Sequence, residues 1–331
     1  MSQVQFISYC VNIGYKTVNG QKTYPSLDND SEDIKERINH LFKVINEVMV
    51  EPTVISDQSV KKIFMIPEFF FRGKKGYYTL NEKNSYSDNL LPSLQSFLKG
   101  TTLNNWIFIF GTTVYGWNKG TDTYIYNSSL VQEVGYTLQE EAYKLAHLVQ
   151  KEFKSKIDFI EYESNPYIYL EPMPSNSLGT ELQKRGYDGS SIFNLSSIPV
   201  KVGLEICLDH AKARLKNTTT KPEGKDIKIQ LIPSAGMTIK KENIAVVNGG
   251  YVFNCDGLNS NVLDLATEGK KKDPDLIGKN FNFHSQLLKR SSSSYEEIRP
   301  KGTFEVKFDQ EAKNLFSGES GQVYIYEPQD I

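Results

Sequence analysis

The chain of 331 residues has few cysteines, few histidines, no excess of either charge and no long apolar run. Three cysteines are too few, and odd in number, for a disulfide framework, so they favour a reducing compartment. The 38 basic and 40 acidic residues give a net charge of −2, which excludes a strong electrostatic attraction to nucleic acid or anionic membrane. No run reaches the roughly 18 apolar residues of a transmembrane helix, and no signal-peptide pattern opens the chain. We therefore expect a cytoplasmic protein with no nucleic-acid or membrane partner.

Metal-ligand and phosphate-binding motifs are also absent from the sequence. The four histidines and three cysteines lie at no spacing typical of a metal site, and no G-x-x-x-x-G-K-S/T string occurs. The histidines are His40, His147, His210 and His284, and the cysteines are Cys10, Cys207 and Cys255. We therefore expect no metal site and no phosphate-binding loop.

What the chain does have is a pattern of buried strands alternating with helices, which predicts an α/β fold. Hydrophobic residues make up 39% of the sequence, enough for a sizeable core. The predicted strands are Val4–Val11, Ile63–Ile66, Trp106–Tyr115, Tyr124–Val134, Lys144–Gln150, Val200–Ile206, Ile227–Pro233, Tyr251–Cys255, Thr303–Phe308 and Gln322–Tyr326, and the predicted helices are Ser31–Val50, Asn89–Leu98 and Lys240–Val247. We expect Asp30 or Ser31 to cap the first helix.

No domain boundary is evident, so residues 1–331 are expected to form a single domain. Ser164–Asp188 is rich in Asn, Pro, Ser, Gly and Tyr without a period, which predicts an inserted loop. The region after about Lys270 is interpreted as a C-terminal extension.

Cys207 is the leading candidate for a nucleophile. A free cysteine is most often a small buried core residue. However, Cys207 ends the apolar run Val202–Cys207 and is followed by Asp209 and His210, so we expect the strand to stop there. Its sulfur would then lie at the carboxyl edge of a sheet, where α/β folds bind ligands, and it would need a group to take its proton.

Glu68 is the candidate for that group. The residue follows an apolar strand and Pro67, and the aromatic run Phe69–Phe71 comes next, so partial desolvation is expected. Burial raises the pKa of a carboxyl group toward the range that a general base near neutral pH requires. Arg72 is either a neutralising partner of Glu68 or a ligand for part of the substrate.

Lys151 follows another strand-like segment and supplies a positive charge that could stabilise an oxyanion, together with backbone N–H groups after Cys207. Lysines are abundant in this chain, and Lys144 and Lys154 are alternatives for the same role.

Taken together, these segments resemble the nitrilase (carbon–nitrogen hydrolase) superfamily. The matching pieces occur in order from about residue 4 to residue 255. They are the first strand at Val4, Pro67-Glu68 after an apolar strand, Trp106–Thr112 with Gly111, Tyr126-Asn127-Ser128, Gly203–Asp209 around the cysteine, Leu231–Ala235 and Asn248–Asn254.

The resemblance implies a four-layer αββα sandwich in which Glu68, Lys151 and Cys207 form a catalytic triad. Glu68 would be the general base, Lys151 the oxyanion stabiliser, and Cys207 the nucleophile that forms a thioester or thioimidate. It also implies that no metal or organic cofactor is needed and that the chain forms a homo-oligomer through the face that carries the cysteine.

The sequence departs from the family pattern at two places. Glu152-Phe153 follows Lys151 where a His-Leu pair is usual, and His210-Ala211-Lys212 stands where an arginine and Pro-Glu are usual. A second glutamate usually helps to position the substrate, and Glu161, Glu163 and Glu171 are all eligible.

The expected activity is hydrolysis of a non-peptide carbon–nitrogen bond in a small carboxamide, with a nitrile as the alternative substrate and acyl transfer to an amine as an alternative outcome. A rival mechanism is a Cys-His hydrolase with His210 or His147 as base. A non-enzymatic alternative is a nitrilase-like scaffold that binds a small molecule or a partner protein without catalysis.

Overall fold

A computed structural model describes residues 2–18, 21–79, 86–155, 168–170, 191–258 and 285–331. Within these ranges the helices are α1 (Asp30–Met49), α2 (Tyr86–Leu98), α3 (Gln139–Lys144), α4 (Leu208–Ala211), α5 (Arg214–Thr218) and α6 (Gln310–Leu315). The strands are β1 (Gln3–Asn12), β2 (Lys16–Val18), β3 (Gln21–Thr23), β4 (Val60–Met65), β5 (Phe71–Arg72), β6 (Tyr78–Thr79), β7 (Trp106–Ile109), β8 (Thr113–Lys119), β9 (Asp122–Glu133), β10 (Ala146–Gln150), β11 (Ile168–Leu170), β12 (Ile192–Asn194), β13 (Lys201–Leu204), β14 (Ile227–Ser234), β15 (Tyr251–Asp256), β16 (Gln286–Ser291), β17 (Ser294–Ile298), β18 (Gly302–Lys307), β19 (Ser317–Ile325) and β20 (Gln329–Asp330).

The larger of two main sheets has the strand order β18-β19-β1-β4-β7-β9-β8-β5 in the described part of the chain. Strands β1, β4 and β7 are parallel, and both β7 and β10 run antiparallel to β9. Strands β4, β7 and β10 therefore point the same way, and their carboxyl ends meet at one edge of the sheet.

The smaller main sheet has the order β12-β13-β14-β15-β16-β17 and a parallel centre formed by β13, β14 and β15. The strands after residue 285 join both sheets, since β16 pairs with β15 and β19 pairs with β1. The described C-terminal residues therefore complete the two sheets.

The side chains of β1 point alternately to the two faces of the larger sheet, and this shows how the core is divided. Phe6 and Cys10 lie in a cluster shared with Leu204 and Phe253 of the smaller sheet, so this face of β1 packs sheet against sheet. Ile7 on the opposite face belongs to a second cluster with the apolar side of α1 and α2. The molecule is thus a mixed α/β structure whose two sheets share one apolar core. Among the described residues, no helix has both the length and the apolar content to cross a membrane.

The predicted strand Trp106–Tyr115 is in fact two strands that separate at Gly111. This glycine has φ +49°, and a Cβ atom there would lie 1.9 Å from the carbonyl oxygen of Pro67. Only glycine allows the chain to pass so close to Pro67 in a left-handed conformation, and the ladder is broken for that reason. The prediction of one continuous strand was wrong.

The predicted helix Lys240–Val247 was also wrong, because only a 3₁₀ turn at Lys241–Asn243 forms. The following backbone bonds to the smaller sheet instead of to itself: Ala245 N–H donates to the Gln230 side chain and Val247 N–H to Ile227 O. The helical spacing of apolar residues here reflects contacts with that sheet. In α1, Asn29 is the N-cap, accepting from Ser31 and Glu32 N–H, whereas the sequence favoured Asp30 or Ser31.

Candidate active site

Glu68 lies just beyond β4 and is fully buried. The next residue, Phe69, has φ +62°, a conformation unusual for an aromatic residue, and its N–H donates to Thr112 Oγ1 at 2.8 Å. Backbone strain of this kind persists only where surrounding structure enforces it, and it concentrates at functional sites. The turn after β4 therefore holds the Glu68 carboxylate in a fixed position inside the protein.

Lys151 meets Glu68 directly. The Lys151 ammonium lies 2.8 Å from Glu68 Oε1, and neither side chain has exposed surface. Asn127 of β9 donates its side-chain N–H to the same oxygen at 3.0 Å, while its carbonyl accepts the Lys151 backbone N–H at 2.8 Å. A buried carboxylate thus has a cation and an amide donor, as burial of a charge requires.

The two alternative lysines are placed differently. Lys144 ends α3 and Lys154 follows the turn after β10, and both side chains are exposed. Because β10 and β4 end at the same sheet edge, Lys151 enters the interior beside Glu68. Of these three lysines, the geometry favours Lys151 as the one that acts with Glu68.

Cys207 lies beyond β13, at the start of α4, with φ +46° and ψ −104°. Its side chain is 3% exposed, and Sγ lies 3.9 Å from Ala235 O. Its N–H donates to Pro233 O at 3.1 Å, which fixes the turn to the end of β14. A strained strand-to-helix turn is also the arrangement that presents the nucleophile in α/β-hydrolases.

Backbone donors near Cys207 are fewer than the sequence suggested. The N–H groups of Cys207, Asp209 and His210 donate to Pro233, Ile206 and Cys207 carbonyls. Among the backbone hydrogen bonds of the described residues, none has the Leu208 N–H as its donor.

Asp209 joins the cysteine turn to the lysine strand. Its fully buried carboxylate accepts the N–H groups of Glu152 and Phe153, the two residues after Lys151, at 2.8–3.1 Å. Desolvation raises the pKa of Asp209 to about 6, against the lowering effect of Arg214, these backbone bonds and Lys151. Through this carboxylate, Cys207 and Lys151 are held in neighbouring turns.

His210 is fully buried, with both ring nitrogens engaged. Nε2 accepts the Lys240 N–H at 2.8 Å, so the proton of the neutral ring is on Nδ1, 2.7 Å from Glu205 Oε1. A histidine held this way has no free lone pair with which to take a proton from Cys207. His147 lies on β10, four residues before Lys151, which corresponds to about 13 Å along a strand. Its ring stacks on that of Phe193 in β12. The geometry therefore gives no support to the Cys-His mechanism through His210.

An aromatic and cationic wall borders the pair. The Phe69 ring lies 5.5 Å from the Lys151 ammonium and 4.6 Å from the Arg72 guanidinium. Arg72 also stacks over Tyr24 and donates to Ile13 O. Lys151 thus contacts Glu68 directly, and both Lys151 and Arg72 lie close to the ring of Phe69.

Comparison with solved structures finds several proteins similar to this chain. Nit3 of Saccharomyces cerevisiae, a member of branch 10 of the nitrilase superfamily, is 13% identical over 89% of this chain and 90% of its own, with a TM-score of 0.43. A carbon–nitrogen hydrolase of Helicobacter pylori G27 is 13% identical over 98% and 89% (TM-score 0.47), and the NitN amidase of a Nesterenkonia species (strain AN1) is 9% identical over 100% and 93% (TM-score 0.43). These structures include members of the superfamily that the sequence resembles. No protein-family model and no curated protein matches the sequence. At such identities and TM-scores, the function proposed below rests on the geometry of the site.

The sequence did not reveal the roles of several polar residues. Asn127 belongs to the Tyr126-Asn127-Ser128 motif, but the sequence did not predict its contact with Glu68. The available signal was an amide side chain in the middle of a strand. The spacing of Arg214 from Cys207 does not indicate a role for Arg214 in the site. The candidate second glutamates Glu161, Glu163 and Glu171 lie outside the described residues, as does most of the Ser164–Asp188 segment. Among the described residues, no cluster of three or more His, Cys, Asp or Glu side chains has the geometry of a metal site.

Proposed function

We propose that this protein is a carbon–nitrogen hydrolase of the nitrilase superfamily that cleaves a small carboxamide. The observation that carries the proposal is the buried contact of Lys151 with Glu68 at 2.8 Å, tied through Asp209 to the strained turn of Cys207. In this proposal Glu68 is the general base, Lys151 the fixed positive charge and Cys207 the thiol, which is the set that acyl transfer through a covalent intermediate requires.

In the proposed mechanism, Glu68 takes the proton of the Cys207 thiol as sulfur attacks the amide carbon. The negative oxygen of the tetrahedral intermediate is stabilised by the Lys151 ammonium and Leu208 N–H. Glu68 then gives the proton to the leaving nitrogen, ammonia departs and a thioester remains. Water, deprotonated by Glu68, attacks the thioester, releasing the carboxylic acid and returning the proton to sulfur.

The same three residues would act on a nitrile through a thioimidate, and an amine could replace water at the thioester. The proposal includes a four-layer αββα arrangement in one domain and assembly of the chain into a homo-oligomer. The shared core between the two sheets and the helices on the outer face of the larger sheet support the layering.

The deciding experiment measures ammonia release from a panel of carboxamides and nitriles by the wild-type protein and by Cys207→Ala. We expect release from at least one carboxamide and its complete loss in the variant, with circular dichroism unchanged. Hydroxylamine added to the active reaction should yield a hydroxamate if a thioester forms. Normal turnover by Cys207→Ala would refute the mechanism, and binding of the panel compounds without turnover by wild type would favour the scaffold.

A further inference from the structure

Asp209 makes contacts that a residue serving only its own turn would not need. Its backbone N–H is already bonded within the turn, to Ile206 O at 3.0 Å. Its carboxylate instead reaches across to another strand end, where Oδ1 accepts from Glu152 N–H at 3.1 Å and Phe153 N–H at 2.8 Å. The side chain therefore fixes the backbone that emerges from Lys151.

Arg214 completes this connection from the other side of Lys151. Its Nη1 donates to Gln150 O at 2.9 Å and to Asp209 Oδ2 at 3.0 Å, and its Nε lies 2.9 Å from Glu152 Oε2. The residue before Lys151 and the two residues after it are thus all bound by Asp209 or Arg214. Charge-assisted bonds of this kind are directional, so they define where the strand end lies relative to the cysteine turn.

We propose that Asp209 and Arg214 are a positioning pair that sets the place of the Lys151 ammonium relative to the Cys207 thiol. The inference rests on the proposed function, because it assigns these residues to the geometry of that reaction. Neither residue touches the reacting atoms. Their effect passes through the backbone on both sides of Lys151.

If the role of this pair were only structural, apolar side chains could fill it without the desolvation free energy of a buried carboxylate. Burying a carboxylate carries a desolvation cost, and replacing buried ionic pairs by apolar residues is often neutral or stabilising. Asp209 has no exposed surface, yet its oxygens are aimed at two backbone N–H groups and one guanidinium. These bonds orient the strand end at the cost of desolvating a carboxylate. The orientation of Lys151 matters for the proposed reaction because a displacement of about 1 Å can lower the rate about a hundredfold.

The test uses Asp209→Asn, which keeps the shape but removes the charge, with Asp226→Asn as the matched control at an exposed position. Arg214→Gln is a second variant, and Arg214→Lys is its conservative partner. Hydrogen exchange of the Glu152 and Phe153 amides should quicken in Asp209→Asn and stay at the wild-type rate in Asp226→Asn. Unchanged protection of both amides would overturn the assigned contacts.

Kinetics separates positioning from folding. We expect kcat to fall by about 10- to 100-fold in Asp209→Asn with KM within about twofold, and Arg214→Lys to retain more of kcat than Arg214→Gln. A normal kcat in Asp209→Asn with loosened amides would refute the positioning role and leave the hydrolase proposal intact.

Alkylation of Cys207 tests the positioning role without any need for catalytic turnover. The pH midpoint for iodoacetamide alkylation of Cys207 should shift upward in Asp209→Glu, which keeps the negative charge but moves the carboxylate, because a displaced ammonium stabilises the thiolate less. An unchanged midpoint would overturn the inference even if the wild-type protein released no ammonia from any compound.

Discussion

The charges of Lys151 and Glu68 depend on each other because neither side chain reaches solvent. Lys151→Met should lower kcat by about 10²- to 10³-fold, as loss of one oxyanion-stabilising group does. It should also lower the free energy of unfolding by about 3–5 kcal/mol, because the Glu68 carboxylate is left buried without its cation. Steady-state kinetics and urea denaturation would measure the two effects.

The controls for this prediction come from the same stretch of chain. Lys144→Met and Lys154→Met change exposed lysines and should leave both quantities within error. The double variant Glu68→Gln/Lys151→Met should recover most of the stability but none of the activity. Full activity in Lys151→Met, or its loss in Lys154→Met, would assign the role to another lysine.

His40 gives the protein an acid-sensitive contribution to stability. Burial lowers the pKa of His40 to about 4, and the Tyr9 hydroxyl is hydrogen-bonded to Nε2 of the ring at 2.7 Å. Between pH 6.5 and 4 the unfolded chain binds a proton that the native state does not, so stability falls as pH decreases through this window, by about 3 kcal/mol in total. His40→Gln should remove this part of the pH dependence.

Asp209 acts with the opposite sign in nearly the same window. Its raised pKa of about 6 means that the native state holds a proton between pH 4 and 6 that the unfolded chain has released. Its contribution to stability therefore decreases as pH rises from about 4 to 6, by about 3 kcal/mol, and is constant above that. Urea midpoints at pH 4.5 and 7 should show a steeper acid loss in Asp209→Asn than in wild type and a shallower one in His40→Gln; equal slopes in all three would contradict both assignments.

At the scale of the element, the gap between β7 and β8 is set by one glycine. Gly111→Ala adds a Cβ atom within 1.9 Å of Pro67 O at a left-handed position, so the chain must move at the residue before Glu68. We expect a loss of at least about 2 kcal/mol in unfolding free energy and a marked fall in kcat.

Gly120→Ala is the matched control for that change. Gly120 also has a left-handed φ, +64°, but a Cβ atom there would meet nothing within 4 Å. Only the conformational cost of about 1 kcal/mol should appear, with normal activity. Equal losses in the two variants would mean that the contact with Pro67 is not the limiting one.

Across the whole molecule, the two sheets are joined at Cys10 and Cys255. The two sulfur atoms lie 3.8 Å apart in the core between the sheets, and neither side chain has exposed surface. Iodoacetamide should therefore label the native protein only at Cys207, and Cys10 and Cys255 only after global unfolding. Mass mapping of native Cys207→Ala should find no labelled cysteine; labelling of Cys10 at a rate independent of denaturant would show that the sheets separate locally.

The α/β pattern, most strand positions and the candidates Glu68, Lys151 and Cys207 can be predicted from the sequence alone, because apolar periodicity and abrupt polar strand ends are local properties. The sequence did not distinguish among Lys144, Lys151 and Lys154, and it predicted β7 and β8 as one strand. Neither the direction of β10 nor the approach of Gly111 to Pro67 is encoded within a short window of sequence. Three contacts became visible only in the folded protein: Lys151 with Glu68, both ring nitrogens of His210 with their partners, and Asp209 with the backbone after Lys151. Each of these depends on strands distant in the chain ending at neighbouring positions, and such contacts are fixed by sheet order and packing.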